Sequence, residues 1–390
     1  MRRNVMKRIQ RQAFSSLSLS MKRFPSELED TVIDFCHADH ATLASCGLVC
    51  RSWVPTSRYH LFSTVCLTQQ NAPGLVDIVS SSPSVALSVR EVELRFSDAT
   101  LPRLVPVLML LTRTGRLIAL RLTMRDGVAR EISSLYLPLA ALPLVHLKWD
   151  FRSRFESLQQ VIDTVCVCPQ LQSLELGGSW LKRGDFAVLP RLPRTLHKLT
   201  LTCDLEYFLT WFLTLEEVIP AIDTLSLHHI VQREIPAIVT YLRRSGPTLK
   251  SLTVVFRDNG APGRFAAEVD LTRNTSLREF ALEGSAPGVL ACLSTLLPQL
   301  HVCQVERITL TVRHGRYPEA KRIIDTYPWP TLDRVLGDPA LCFLKRLRLV
   351  VVESLTRAEQ RDVAAYILKQ LPLTRGQGIV ADTYYDLGHY

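Results

Sequence analysis

The sequence predicts an α/β protein in which a short helical segment precedes a long solenoid of parallel strands and helices. Two observations support this prediction. One six-position pattern, apolar-x-x-apolar-x-apolar, recurs ten times between residues 89 and 349, and amphipathic helical patterns occupy the intervals. Residues 24–67 differ, because their apolar residues follow helical spacing and form short runs. We expect strands on the concave face of the solenoid and helices on its convex face.

The helical segment opens at Pro25, which suits the first turn of a helix because its missing N–H costs nothing there. Side chains that favour a helix N-terminus follow it: Ser26, Glu27, Glu29 and Asp30. The apolar residues of three expected helices are Leu28, Val32, Ile33 and Phe35, then Leu43, Cys46, Leu48 and Val49, and finally Trp53. Helices this short are marginal alone, so they must pack on one another or on a partner.

The repeated pattern has a nearly constant period. Its copies are Val89/Val92/Leu94, Leu117/Leu120/Leu122, Leu144/Leu147/Trp149, Leu171/Leu174/Leu176, Leu196/Leu199/Leu201, Ile222/Leu225/Leu227, Leu249/Leu252/Val254, Leu277/Phe280/Leu282, Val305/Ile308/Leu310 and Leu344/Leu347/Leu349. Their first positions are 25 to 28 residues apart over the first eight steps and 39 apart over the last. This spacing resembles leucine-rich repeats, whose period is about 20–29 residues.

Amphipathic helices are predicted between the copies. Their apolar faces are Phe155, Leu158, Val161, Ile162 and Val165, then Ile235, Ile238, Val239 and Leu242, and finally Val363, Tyr366, Ile367 and Leu371. Strand–helix–strand units with short links require right-handed crossovers and a parallel sheet. We therefore expect each strand to pair with the next along the chain.

The repeats depart from the leucine-rich-repeat family in their turns. Three positions after the last pattern residue the family favours asparagine, whereas this chain has Ser179, Asp204, Ile230 and Arg257. We expect an irregular curve without an asparagine ladder. The long last step contains Tyr317-Pro318 and Tyr327-Pro328-Trp329-Pro330, which indicates an inserted helix and a proline-rich loop.

Residues 24–67 resemble the F-box. The opening leucine-proline pair of that motif is represented by Phe24-Pro25, followed by Glu27 and Leu28. Its later signature is complete as Leu48-Val49-Cys50-Arg51-Ser52-Trp53, and residues 57–62 are most similar to fungal F-box proteins. Phe24 and Cys36 replace usual leucines, and both remain apolar.

The resemblance implies docking on a Skp-family adaptor and, through it, on a cullin. The residues it assigns to the adaptor are Phe24, Pro25, Leu28, Ile33, Leu43, Leu48, Val49, Cys50 and Trp53. The chain would be the substrate-recognition adaptor of a Skp–cullin–F-box ubiquitin ligase, with the solenoid holding a protein substrate near the conjugating enzyme. The alternatives are a repeat scaffold outside any ligase, with a vestigial F-box, and a nucleic-acid-associated protein.

Residues beside the inner pattern positions are expected on the concave face, because successive side chains of a strand alternate. This set comprises Arg121, Lys148, Lys198, His228, Arg307, Arg346 and Arg348, with Glu91, Glu93, Glu279 and Glu283 as acidic exceptions. Guanidinium groups bind carboxylates and phosphates in bidentate geometry. The last three arginines therefore suit an acidic or phosphorylated substrate segment. The alternative is a solvated basic rim balanced by Glu306 and Glu353.

Composition and charge agree with a binding protein. The 390 residues are 47% hydrophobic and carry a formal net charge of +9, which favours a large core over disorder. The charge is spread out and lacks the interleaved aromatic residues that stack bases, so nucleic acid is not the expected partner. Residues 1–23 are basic and acid-free, typical of a disordered tail or, alternatively, a mitochondrial transit peptide.

The remaining signals exclude membranes and familiar catalysis. No apolar run of eighteen residues occurs, and ten scattered cysteines suggest reduced thiols of an intracellular protein in cytoplasm or nucleus. His228-His229, His301 with Cys303, and Gly177-Gly178 fit no metal or phosphate site. We expect no enzyme, cofactor or metal. The expected domains are a tail (1–23), the F-box (24–67), the solenoid (68–371) and a C-terminal cap or tail (372–390).

Overall fold

The structure is a computed structural model. It describes residues 25–124, 128, 130–149, 154–182, 192–215, 220–300, 302–313, 329–352, 362, 365–366, 369–376 and 379–385. The chain divides into two compact units. One contains the described residues up to Val65 together with Ile78–Arg90, and the other contains Cys66–Asp77 and the described residues from Glu91 onward. We call them the helical unit and the sheet unit.

Short helices dominate the first part of the chain. They are α1 (Ser26–Phe35), α2 (His40–Val49), α3 (Val54–Ser63), α4 (Ala72–Ser81) and α5 (Pro83–Ala86). Asp39 caps α2 by accepting a hydrogen bond from the Thr42 backbone N–H at 3.0 Å. Trp53 lies in the turn before α3 and not inside the third helix, because Pro55 in the first turn sets the start of that helix.

A large parallel sheet organises the sheet unit, which confirms the predicted parallel sheet. Its strands are β1 (Thr64–Leu67), β2 (Glu91–Phe96), β3 (Ala119–Met124), β4 (His146–Trp149), β6 (Ser173–Gly177), β8 (Lys198–Thr202), β9 (Thr224–Ile230), β10 (Ser251–Phe256), β11 (Glu279–Ser285), β12 (Arg307–Arg313), β13 (Arg346–Val352) and β14 (Val380–Tyr385). They follow one another in chain order across the sheet. A separate parallel pair joins β5 (Arg154–Ser157) to β7 (Ser179–Lys182).

The repeated apolar pattern marks ten of these strands and sets their register. The middle residues align as Cα partners from Val92 through Leu120, Leu147, Leu174, Leu199, Leu225, Leu252, Phe280 and Ile308 to Leu347. All three apolar residues of every copy are buried. Burial of this continuous apolar column supplies the main stabilisation of the sheet.

Most helices between the strands bury one apolar face. They are α6 (Leu101–Thr112), α7 (Tyr136–Ala141), α8 (Leu158–Cys166), α9 (Leu205–Thr214), α10 (Ile235–Ser245), α11 (Ala261–Glu268), α12 (Ala286–Leu300), α13 (Trp329–Leu336) and α14 (Pro372–Gly376). The exception is the short α14, where the buried side chain is that of Thr374. The predicted face of α10 is buried throughout. Phe155, assigned to a helical face by its spacing, lies instead on β5 and packs edge-on against Trp149 with ring centroids 4.9 Å apart.

The C-terminal segment contributes the last strand of the sheet. Strand β14 pairs in parallel with β13, so the segment from Pro372 is more than a cap or loose end. Asp333 of α13 is buried and accepts hydrogen bonds from the backbone N–H groups of Leu373 and Thr374, both at 2.9 Å. This carboxylate attaches α14 to α13. Val363 and Ile367, predicted on a helical face, lie outside the described residues.

Carboxylates occupy the turns where an asparagine ladder was missing. Asp98 accepts hydrogen bonds from the backbone N–H groups of Arg130 and Glu131 at 2.8 and 2.9 Å. Glu234 accepts from Leu205 at 3.1 Å, and Asp258 accepts from Gln232 at 3.0 Å. Each bond joins the loops of two neighbouring repeats. The carboxylates thus accept hydrogen bonds from turn backbone N–H groups, the role that asparagine side chains have in the leucine-rich-repeat family. Burial raises the pKa of Glu234.

Candidate interaction surfaces

Helix α1 exposes a row of apolar side chains. Leu28 is 51% exposed, Val32 56% and Phe35 83%, and their spacing places them on one side of the helix. We call these three residues the apolar stripe. Near the end of α2, Leu48 is 88% exposed and Val49 63%. Exposed apolar side chains grouped in so short a segment are typical of an interaction site.

The opposite side of α1 is attached to α3 and the turn before it by polar contacts. The Ser52 and Thr56 hydroxyls donate to Glu29 at 3.2 Å and Asp30 at 2.5 Å. The Nε2 atom of His60 lies 2.6 Å from the Asp34 carboxylate. Because α1 uses its acidic side for these contacts, the apolar stripe faces away from α3.

The residues predicted to bind the adaptor divide into two groups. Pro25, Leu28, Leu48, Val49 and Cys50 are exposed, and Trp53 is half-buried. Ile33 and Leu43 are fully buried, so their role within the helical unit is to hold the helices together. Phe24 lies outside the described residues. Val32 and Phe35 were not among the predicted set, although their spacing from Leu28 was a signal for one shared face.

Cys50 is an exposed thiol beside these side chains. Its Sγ lies 3.1 Å from the Ser52 hydroxyl oxygen. This hydrogen bond, together with one to the Trp53 backbone, lowers the pKa of Cys50. Five other thiols behave oppositely: burial raises the pKa of Cys166, Cys168 and Cys292 to about 12, that of Cys303 to about 11, and that of Cys203 well above its ordinary value. All ten cysteines are free, and these five are protonated at neutral pH.

The strand positions between the buried ones form a second candidate surface, which we call the open face. One cross-strand row contains Glu93, Arg121, Lys148, Glu175, Thr200, Ser226, Thr253, Ala281, Thr309 and Arg348. A second contains Glu91, Ala119, His146, Ser173, Lys198, Thr224, Ser251, Glu279, Arg307 and Arg346. Charges therefore concentrate at the two ends of the sheet, with hydroxyl groups between them.

At the β2–β6 end, cations and carboxylates are interleaved. Arg121 and Lys148 line a cavity of about 270 Å³ together with Glu91 and Glu175. Lys148 forms an ion pair with Glu175. This part of the open face is balanced in charge, so it has no preference for an acidic ligand.

The middle of the open face is nearly neutral. On β9 and β10 both rows contain only serine and threonine. Lys198 is exposed at the start of β8, and His228 is half-buried near the end of β9. His229 follows with a positive φ of 59°, where the register of β9 against β10 shifts. This bulge interrupts the strand alternation at the two histidines.

At the β11–β13 end, six charged residues line one cavity of about 440 Å³. We call it the basic groove, and its residues are Arg278, Glu279, Glu306, Arg307, Lys345 and Arg346. The structure thus brings the predicted Arg307 and Arg346 together as Cα partners. Arg348, two residues further along β13, is not among the lining residues. Arg278 and Lys345 were missed, because each directly precedes a strand where alternation assigns no face. Glu353 lies outside the described residues.

Other chemistry is limited in the described part of the chain. No group of three or more His, Cys, Asp or Glu side chains there could hold a metal ion. His301 lies outside that part, so the structure does not describe its position relative to Cys303. No helix in the described ranges is long and apolar enough to cross a membrane.

No protein-family model matches the chain, and no curated protein matches it with significant similarity.

Proposed function

We propose that this chain is the substrate-recognition adaptor of a Skp–cullin–F-box ubiquitin ligase. The helical unit binds a Skp-family adaptor, and the sheet unit binds a protein substrate. The observation that carries the proposal is the exposure of Leu28, Val32 and Phe35 on α1 and of Leu48 and Val49 on α2. The F-box-like signature Leu48–Trp53 includes the last two of these residues.

Energetics support a partner for this surface. Burying a leucine or phenylalanine side chain stabilises by about 1.5–3 kcal/mol relative to leaving it in water. The helical unit leaves several such side chains exposed while burying only Ile33 and Leu43 of the predicted adaptor set. A bound adaptor would cover the exposed residues. The contacts of Asp30 and Asp34 with α3, and of Glu29 with the turn before it, would keep α1 oriented for the adaptor.

The chain would position the substrate and would not itself catalyse ubiquitin transfer. A substrate held on the open face stays near the conjugating enzyme, so its lysines reach a high effective concentration. The candidate substrate contacts are the charged open-face residues at the two ends of the sheet and the hydroxyl groups between them.

The test is binding of the full chain to a purified Skp-family adaptor. A Leu28→Ala, Leu48→Ala variant should stay folded and lose about 2 kcal/mol or more of binding free energy, as at interface hot spots. The matched control is Leu137→Ala with Leu181→Ala, because these leucines are also exposed, at 70% and 63%, but lie in the sheet unit.

Unchanged adaptor affinity in the folded Leu28/Leu48 variant would contradict the proposal. So would the absence of adaptor binding by the native chain. In either case a scaffold that works outside a ligase becomes the better description of the protein.

A further inference from the structure

The cavity at the β2–β6 end of the open face contains opposite charges of which only one pair is matched. We call it the mixed-charge cavity, and the polar side chains that line it are Glu91, Arg121, His146, Lys148, Ser173 and Glu175. Lys148 and Glu175 neutralise each other as an ion pair. The side chains of Arg121 and Glu91 form no hydrogen bond or ion pair with any residue that the structure describes. One cation and one carboxylate therefore remain available to a ligand.

Arg121 lacks a partner because its nearest carboxylate is already engaged. Glu93 is its Cα partner on β2, but it accepts a hydrogen bond from Arg95 Nε at 2.7 Å. On β4 the Cα partner is Lys148, which is itself a cation. The Nε atom of Arg121 is buried and has no acceptor among the described residues. A buried donor of a charged group is costly when it lacks an acceptor, so an anion bound at this guanidinium would offset part of that cost.

Glu91 lies diagonally across the sheet from Arg121. Its Cα partner is Ala119, two residues before Arg121 on β3. Because neighbouring strands lie about 4.8 Å apart and two residues span about 6.6 Å of a strand, the Cα atoms of Glu91 and Arg121 lie roughly 8 Å apart. Alternate side chains of an extended peptide lie on the same side, roughly 7 Å apart. Two alternate side chains of such a peptide can therefore reach both residues.

We propose that the mixed-charge cavity binds an extended segment of the protein substrate in which a carboxylate and a basic side chain are two residues apart, an inference that rests on the proposed function. The carboxylate accepts hydrogen bonds from Arg121, and the lysine or arginine pairs with Glu91. A segment with charges of one sign would meet like charges, either Glu91 and Glu175 or Arg121 and Lys148, which disfavours it. The cavity volume of about 270 Å³ is below the roughly 300–1,000 Å³ typical of sites that enclose a small molecule, so the cavity suits side chains of a larger ligand.

The experiment measures retention of short synthetic peptide libraries on the immobilised full chain. All peptides have blocked ends and uncharged flanks, and they differ at two alternate positions: Lys-x-Glu, Glu-x-Lys, Lys-x-Lys, Glu-x-Glu or Gln-x-Gln. The native chain should retain at least one mixed library about tenfold more strongly than either single-charge library, since a charge-assisted contact is worth roughly tenfold in affinity. A further library, in which a free C-terminal carboxylate replaces the glutamate, distinguishes a chain-end carboxylate from a side-chain carboxylate.

Variants of the two unmatched residues assign the contacts. Arg121→Gln should weaken binding of the preferred mixed peptide about tenfold and leave unchanged the affinity of the same peptide with glutamine in place of glutamate. Glu91→Gln should behave likewise toward the lysine of the peptide. A folding defect would weaken both peptides equally, so only the selective loss supports the proposal. The preference of the native chain among the libraries tests the proposal without any variant.

The matched controls are Arg257→Gln and Glu206→Gln, which remove one exposed charge of each sign elsewhere in the sheet unit. Both should bind the mixed peptide as the native chain does. If a control weakens binding as much as the cavity variant of the same charge, general charge explains the binding and the proposal fails. Stronger retention of a single-charge library, or equal retention of the charged and uncharged libraries, would also overturn it.

Adaptor binding separates this inference from the proposed function. If the Arg121→Gln variant and the native chain bind the Skp-family adaptor equally but the native chain shows no preference for mixed-charge peptides, only the cavity inference fails. If the native chain prefers mixed-charge peptides but binds no adaptor, the cavity inference stands and the ligase function fails.

Discussion

The helical unit and the sheet unit use apolar side chains in opposite ways. In α1, Ile33 is buried while Leu28, Val32 and Phe35 remain exposed. In the sheet unit, all three apolar positions in every copy of the repeated pattern are buried. The sheet unit therefore completes its core with its own repeats, whereas the helical unit presents much of its apolar surface to solvent. The same residue types therefore form the core in one unit and exposed surface in the other.

The largest effect is expected in the column of pattern residues. Leu199→Asp would place a charge at a fully buried position and should lower the free energy of unfolding by about 4 kcal/mol or more. Its control is Thr200→Asp, one residue further on the half-buried side of β8, which should cost far less. Chemical denaturation of the two variants measures the contrast. Similar midpoints for both would show that the two sides of the strand are not distinct.

A smaller and more local effect is expected in the helical unit. Leu43 is fully buried, so Leu43→Ala should destabilise α1–α3 by about 2–3 kcal/mol. Leu48→Ala removes the same atoms from an 88% exposed position and should change stability by less than about 0.5 kcal/mol. Amide hydrogen exchange in α1–α3 distinguishes the two. Equal protection in both variants would contradict the division into core and surface.

The smallest perturbation is chemical labelling of Cys50. Because its pKa is lowered, a larger thiolate fraction at neutral pH should make it react faster with a maleimide than the exposed Cys342. A bound Skp-family adaptor should slow labelling of Cys50 about tenfold or more and leave Cys342 unchanged. Mass spectrometry after short exposures measures both rates. Adaptor binding without protection of Cys50 would place the interface away from the end of α2.

The strands were predictable because their signal is periodic in two ways. Alternation of apolar residues identifies a strand, and the regular spacing of the copies indicates that the strands stack. Strand β14 escaped prediction because it lacks that pattern: the register aligns Ala381 with Leu347 and Thr383 with Leu349. Phe155 was misassigned to a helix because its spacing of three residues to Leu158 fits a helical face. This spacing does not reveal where β5 ends and α8 begins.

The candidate sites were less predictable, because exposure and pairing depend on neighbours distant in sequence. Helical spacing groups Val32 and Phe35 with Leu28 on one face, but spacing alone could not show that this face is exposed. The partners Glu279 and Arg307 are 28 residues apart, and only the strand register brings them together. Alternation located Arg307 and Arg346 but could not show that Glu279 and Glu306 offset part of the charge around them.

The turn carboxylates limit how the chain can be divided. Glu234 belongs to one repeat, but its side chain binds the first N–H of α9 in the repeat before it, and Asp258 does the same for Gln232. A fragment that ends after β9 would keep α9 and lose the acceptor at its N-terminus. Neighbouring repeats are thus joined by these hydrogen bonds. Inserting or deleting a whole repeat preserves the bonds only if both of its edges carry matching donors and acceptors. Side-chain substitutions on the open face, in contrast, leave these carboxylate bonds intact.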